Sequence, residues 1–266
     1  MITGLFLFQL FVTFLTGSIW IFLIVLAGKR FGSKTAGFIG GLPSTAVLSF
    51  FFIGFTQSPE TASEATTIFP IVYGVTALFL VVYAWQIKKG IFIALSSGLI
   101  VWIILSTIII LLDPDNFIII IFCYILILLC VYFLLERILK ITSYGRVLTN
   151  YTNRQIAFRS LLGGLIIMMA VLFAKIGGPV FGGMFAAFPA MFISTLVISY
   201  KVHGADFSRA LTKPLMITGM ITIVIYVIAV KYLYIYTGLY IGTILSMTIS
   251  AISAYFTYVF LQRKLK

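Results

Sequence analysis

The sequence predicts an all-α integral membrane protein of nine transmembrane helices, arranged as two inverted four-helix repeats joined by one linking helix. Three observations predict it: too little charge for an aqueous surface, apolar runs of membrane-spanning length, and an internal repeat with an odd number of crossings between its copies. Of the 266 residues 62% are hydrophobic and only 9% charged, with 26 Phe and 14 Tyr. A soluble domain carries about 25% charged residues, so this chain lacks the polar material for a wet exterior. The 18 basic against six acidic residues give a net charge of +12. In a soluble protein that excess would suggest nucleic acid, but here the charges fall between apolar runs and report topology, so no nucleic-acid partner is expected.

Each helical crossing takes about 20 apolar residues, and only helices or closed barrels hide their backbone in lipid. The runs, too long for barrel strands, predict helices near 5–27, 35–56, 67–87, 90–112, 116–135, 157–175, 179–200, 214–232 and 236–261. The first run exceeds a signal-peptide core and is followed by a basic pair, so it reads as a retained span. Cys123 and Cys130 share one helical face but lie too far apart along it for a disulfide. Basic residues near span ends stay cytoplasmic. With the N-terminus outside and the C-terminus cytoplasmic, only Lys175 and Lys231 of the 18 basic residues fall outside, which predicts a multi-pass protein of the cell (inner) membrane. The basic stretch Glu136 to Arg159 reads as a cytoplasmic linker near anionic headgroups.

An offset of 146 residues brings Gly17 onto Gly163, Lys29 onto Lys175, Gly32 onto Gly178, Gly37 onto Gly183, Pro43 onto Pro189, Ser49 onto Thr195 and Glu60 onto Asp206. Gly, Pro and charge are scarce here, so the matches mark a duplication: residues 1–112 as the first unit, 113–156 as the linking helix and loop, and 157–266 as the second unit. The linking helix makes the second copy enter the membrane from the opposite side. Inverted repeats are the architecture many secondary transporters use for alternating access.

Within the repeat, GGLPST (40–45) and AAFPA (186–190) fall at the centres of the second and seventh spans. Pro43 and Pro189 lack the N–H that the carbonyls of Ile39 and Phe185 would accept, leaving those oxygens for another donor or a monovalent cation. Gly/Pro-broken spans at matching positions point to a substrate site; a duplicated structural kink would look the same. The predicted substrate-binding set is Ile39, Gly41, Pro43, Ser44, Thr45, Ser49, Phe185, Pro189, Ser194 and Thr195, with Ser96 and Ser246 from small polar stripes that serve equally for helix packing. Lys29, Lys175, Glu60 and Asp206, paired across the repeat on opposite faces, are candidate gates, although snorkelling and capping account for such charges as well. No Asp, Glu, Lys, Arg or His lies near the centre of a span, which favours a neutral or amphipathic substrate, or one whose charged head stays near an interface, and disfavours a buried carboxylate relay.

No phosphate loop, HExxH or CxxC is present, and one His with six acids cannot readily assemble a catalytic constellation. The expectation is therefore a non-enzyme without cofactor or metal: a carrier or flippase for a small or lipid-linked substrate, with the bilayer as partner and homo-oligomerisation left open. A scaffold subunit or an ion channel is the alternative. The segment GGMFAAFPAMFISTLVISYKVHGADFSRAL resembles the GlpM-like family of small bacterial membrane proteins. The resemblance matches Phe188, Pro189, Ser194, Thr195 and Asp206 to an aromatic-Pro helix centre and a short acidic turn. It implies a fusion of two such units, and that family's connection with alginate production leaves the substrate open.

Overall fold

The computed structural model describes residues 3–30, 43–141 and 151–264. In chain order the helices are α1 (Gly4–Arg30), α2 (Ser44–Thr56), α3 (Pro59–Gln86), α4 (Ile91–Leu112), α5 (Phe117–Phe133), α6 (Asn153–Gly177), α7 (Pro179–Ala186), α8 (Ala190–Ala210) and α9 (Thr212–Lys264). No strand occurs among the described residues, and seven helical runs there are long and apolar enough to cross a membrane, with α7 and α8 forming one of them.

Caps move several boundaries away from those predicted by hydrophobicity. Ser58 accepts the N–H of Thr61 at 3.2 Å and Pro59 occupies the first turn, so α3 starts eight residues before the expected 67. Thr152 and Gln155 form a capping box, which starts α6 at Asn153 rather than 157. The expected gap at 233–235 is helical; the chain instead bends at Gly238, whose φ of 74° divides α9 into arms 212–237 and 239–264. α8 is likewise interrupted at Gly204, with φ 83°.

α3 is the central pillar: 72% of its apolar window is buried, against 17% for α4. It packs against α9, α4, α5 and α7, while Phe92 and Leu111 on α4, Phe122 on α5 and Tyr236 on α9 face outward. In a bilayer such a surface is solvated by lipid, so helix association rests on close van der Waals fit and hydrogen bonds rather than on the hydrophobic effect.

The closest fit joins α1 to α6, which run antiparallel. Lys175, near the C-terminal end of α6, stands 5.9 Å from the ring centre of Phe6 near the start of α1. At the other end, Ile21 and Val25 cluster with Ile156. Glycines make the crossing: a Cβ on Gly17 would lie 2.9 Å from Ile167 Cδ1, one on Gly163 2.9 Å from Ile21 Cγ1, and one on Gly164 would overlap the Ser18 hydroxyl.

Polar ties hold both ends of the bundle. At one end Lys213 pairs with Glu136, and Arg209 donates to the carbonyls of Ala84 and Leu139, both at 2.9 Å. At the other end Ser63 donates to the Lys231 carbonyl at 2.6 Å, and Lys231 Nζ donates to Thr67 Oγ1 at 2.8 Å.

Candidate functional site: two proline breaks and a half-buried arginine

The run from Pro179 to Ala210 breaks at residues 187–189, before Pro189 (φ −75°, ψ 32°). The oxygen expected to need another donor or a cation, that of Phe185, accepts the Phe188 N–H at 3.1 Å. This tighter turn absorbs the missing proline donor, and a cation is not needed there. The Ala187 carbonyl instead accepts Thr76 Oγ1 at 3.0 Å, and Thr76 in turn accepts Trp102 Nε1 at 2.9 Å. Trp102 meets Phe188 edge-on, 5.1 Å between ring centres. A Cβ at Gly183 would overlap the Ala65 carbonyl, so glycine permits α7 to lie against α3.

Pro43 opens α2 with nearly the same backbone (φ −77°, ψ 52°). Here the surroundings are open: a cavity of about 220 Å³ is lined by Pro43, Ser44, Trp20, Ile24, Val47 and Met247 among others. Ile39 and Gly41 lie outside the described residues, as does the side chain of Lys29. α2 packs on α6 and α3 and also touches α7, so the two broken segments are neighbours.

Of the remaining predicted residues, Thr45 is half-buried beside the cavity-lining Ser44. Ser49 and Ser246 are buried with hydroxyls lacking a hydrogen-bond partner. Phe185 stacks on Phe173 at 4.0 Å. Ser194 and Thr195 donate to the Met191 carbonyl at 3.0 and 2.8 Å. Ser96 is exposed on α4, and its hydroxyl donates to the Phe92 carbonyl of its own helix. Glu60, Lys175 and Asp206 are exposed, and the ion pair found among the described residues is Lys213–Glu136. Within the stripe on the second arm of α9, Ser250 donates to the Thr222 carbonyl at 3.3 Å, a packing contact.

Span counting places Arg159 at the very start of the predicted sixth span, 157–175, and groups it with the basic residues of the linker, so it carries no site role there. The capping box TNRQ (152–155), legible in the sequence, places it inside α6. Its Nη1 donates to Thr195 Oγ1 at 2.6 Å, its guanidinium lies 5.9 Å from the Tyr151 ring centre, and its Nε is buried without a partner. The lining role of Trp20 was also not anticipated; its indole nitrogen is a second buried donor without a partner.

A family of proteins of unknown function, DUF3147, matches residues 156–263, from the first turn of α6 to the last turn of α9. No curated protein and no solved structure matches the chain.

Proposed function

We propose that the chain is a nine-crossing carrier or flippase of the cell (inner) membrane, N-terminus outside and C-terminus cytoplasmic. In this reading α1–α4 and α6–α9 are inverted copies, α5 links them, and a small or lipid-linked substrate crosses by alternating access at the two proline breaks.

The observation that carries this reading is reciprocity. Gly17 packs on Ile167 and Gly163 on Ile21; moving each residue to its partner 146 positions away turns one contact into the other. Ser18 meets Gly164, its own equivalent, as residues on a two-fold axis do. Hydrogen bonds repeat the pattern. Ser63 donates to the Lys231 carbonyl and Arg209 to that of Ala84, where 63 and 209 are 146 apart and 84 and 231 are 147 apart. Trp102 donates to the Thr76 side chain, and Ser250, 148 residues on, donates to the carbonyl of Thr222, 146 residues after Thr76. Ser58 and Gly204 each interrupt helix, and Gly90 (φ 124°) and Gly238 (φ 74°) each open the next. The DUF3147 match, confined to 156–263, fits a unit of that extent.

Two equivalent halves offer two packings of nearly equal energy, so a ligand can shift the balance with modest differential affinity. The halves differ here as one such packing requires: the break at Pro189 is sealed by Thr76, Trp102 and Phe188, while that at Pro43 faces a cavity. Exchange of the two environments is the transport step. The sealed Ala187 carbonyl also favours a second reading, a rigid assembly subunit in which the breaks are structural.

Thiol access separates the two. With Cys123 and Cys130 replaced by Ser, Ser44→Cys in proteoliposomes is expected to react with an impermeant maleimide from each side. Cross-linking Glu136→Cys to Lys213→Cys should close one of the two routes. Reactivity from one side only, unchanged by the cross-link, would establish the rigid reading, and unitary conductance in planar bilayers would establish a channel.

A further inference from the structure

Arg159 is a guanidinium inside a membrane-spanning helix with no acidic partner. All six acids of the chain are described, and none lies within 4.0 Å of it; Glu136 is taken by Lys213. Arg159 is half-buried with its Nε fully enclosed; an uncompensated cation within a span is costly, and in membranes such groups mark places where a counter-charge arrives. The fold itself does not require this charge: 146 positions earlier stands Thr13, buried and satisfied by the Gln9 carbonyl of its own helix at 2.8 Å.

A second donor without a partner borders the same place. Trp20, Tyr151 and Met191 pack together on Ile21, Val25 and Ile156. Arg159 lies over Tyr151 and is tied through Thr195 to the Met191 carbonyl. Indole and guanidinium nitrogens only donate, so neither can satisfy the other. What both lack is an acceptor, and beside a cation that acceptor is an anion. Trp20 also forms a wall of the apolar cavity at Pro43.

We propose that Arg159 and Trp20 form an oxyanion site: the phosphate or carboxylate of the transported molecule accepts from Arg159 Nε and Trp20 Nε1, and its apolar part occupies the cavity beside Pro43. Of the cargoes the sequence leaves open, this selects the one whose charged head stays near an interface and makes that head anionic, and it rests on the carrier reading only for the step from binding to movement.

Binding to the full chain in a neutral detergent, followed by native mass spectrometry, tests it with three probes: dioleoyl phosphatidylglycerol, dioleoylglycerol with the same tails and no phosphate, and inorganic phosphate. The wild type is expected to hold the phospholipid about ten- to a hundred-fold more tightly than dioleoylglycerol, the range for charge-assisted hydrogen bonds. Arg159→Gln should abolish that preference, Arg159→Lys should keep part of it, and Lys88→Gln with Lys89→Gln, at exposed positions, should leave it intact. Trp20→Phe keeps an aromatic wall and should weaken the preference several-fold, which preserves the test if Arg159→Gln does not fold. Displacement of the phospholipid by millimolar inorganic phosphate would assign the site to a soluble oxyanion, and failure to displace would assign it to a lipid headgroup. Equal retention of both lipids by the wild type, or a preference surviving both Arg159→Gln and Trp20→Phe, would overturn the site. Binding as expected without two-sided access at Ser44 would keep the site and remove the carrier; two-sided access without binding would do the reverse.

Discussion

Replacing Gly164 with alanine inserts one methyl group at the crossing of α1 and α6, where it would overlap the Ser18 hydroxyl and lie 2.7 Å from the Phe14 carbonyl oxygen and 2.9 Å from the Ser18 nitrogen. Two of these neighbours are backbone, so no rotamer change relieves the overlap. To bring the 2.7 Å approach to an ordinary 3.4 Å, α1 must withdraw by about 0.7 Å. A gap of that size forfeits roughly a quarter to a half of each dispersion contact along the seam. Overpacking of this kind costs about 1–3 kcal/mol. In a detergent melting assay Gly164→Ala should therefore lower the midpoint by about 2–10 °C relative to wild type. Gly4→Ala, with nothing within 4 Å, is the control and should not move it. Gly17→Ala would meet Ile167 Cδ1 at 2.9 Å and the Gly164 Cα at 3.1 Å, and Gly163→Ala would meet Ile21 side-chain atoms alone, the nearest at 2.9 Å; both should cost less than Gly164→Ala, with Gly163→Ala the milder. If Gly164→Ala melted with Gly4→Ala, the close antiparallel seam would be wrong.

Two further substitutions probe the polar ties. Thr76→Val keeps the shape but strands the Ala187 carbonyl and the Trp102 indole, and should cost about 1–3 kcal/mol in the same assay; combined with Trp102→Phe the losses should be less than additive, because both remove one network. Tyr124→Phe removes the bond from α5 to the Met220 carbonyl at 2.8 Å and should cost about 0.6–2 kcal/mol, read as a lower melting midpoint with unchanged helical circular dichroism.

The membrane class, most helix positions and the prolines that open α2 and α8 were legible because hydrophobic run length and Gly/Pro spacing carry them directly. Helix starts at Pro59 and Asn153 were not read, because their signals are caps in polar sequence that hydropathy treats as loop. The earlier start at Asn153 moves Arg159 from the entry of the predicted span at 157 to the second turn of the helix, a depth that hydropathy alone did not show. Of the two partners expected for the Phe185 carbonyl, another donor or a cation, the structure supplies the donor: a proline removes one N–H, but a turn of different pitch brings the next, from Phe188. Thr76, which closes that break, lies 111 residues away from Ala187, and no local pattern announces such a partner. The reciprocal contacts of Gly17 and Gly163 were half legible, since the offset and the opposite orientation could be read from sequence while the close contact of α1 with α6 could not.

Inversion of the two halves is tested most directly at Glu60 and Asp206, exposed residues 146 positions apart. In a background with Cys123 and Cys130 replaced, each is changed singly to cysteine and treated with an impermeant maleimide on intact spheroplasts, then after permeabilisation. Glu60→Cys should label on intact cells and Asp206→Cys only after permeabilisation. Labelling of both from one face of the membrane would contradict the inverted arrangement.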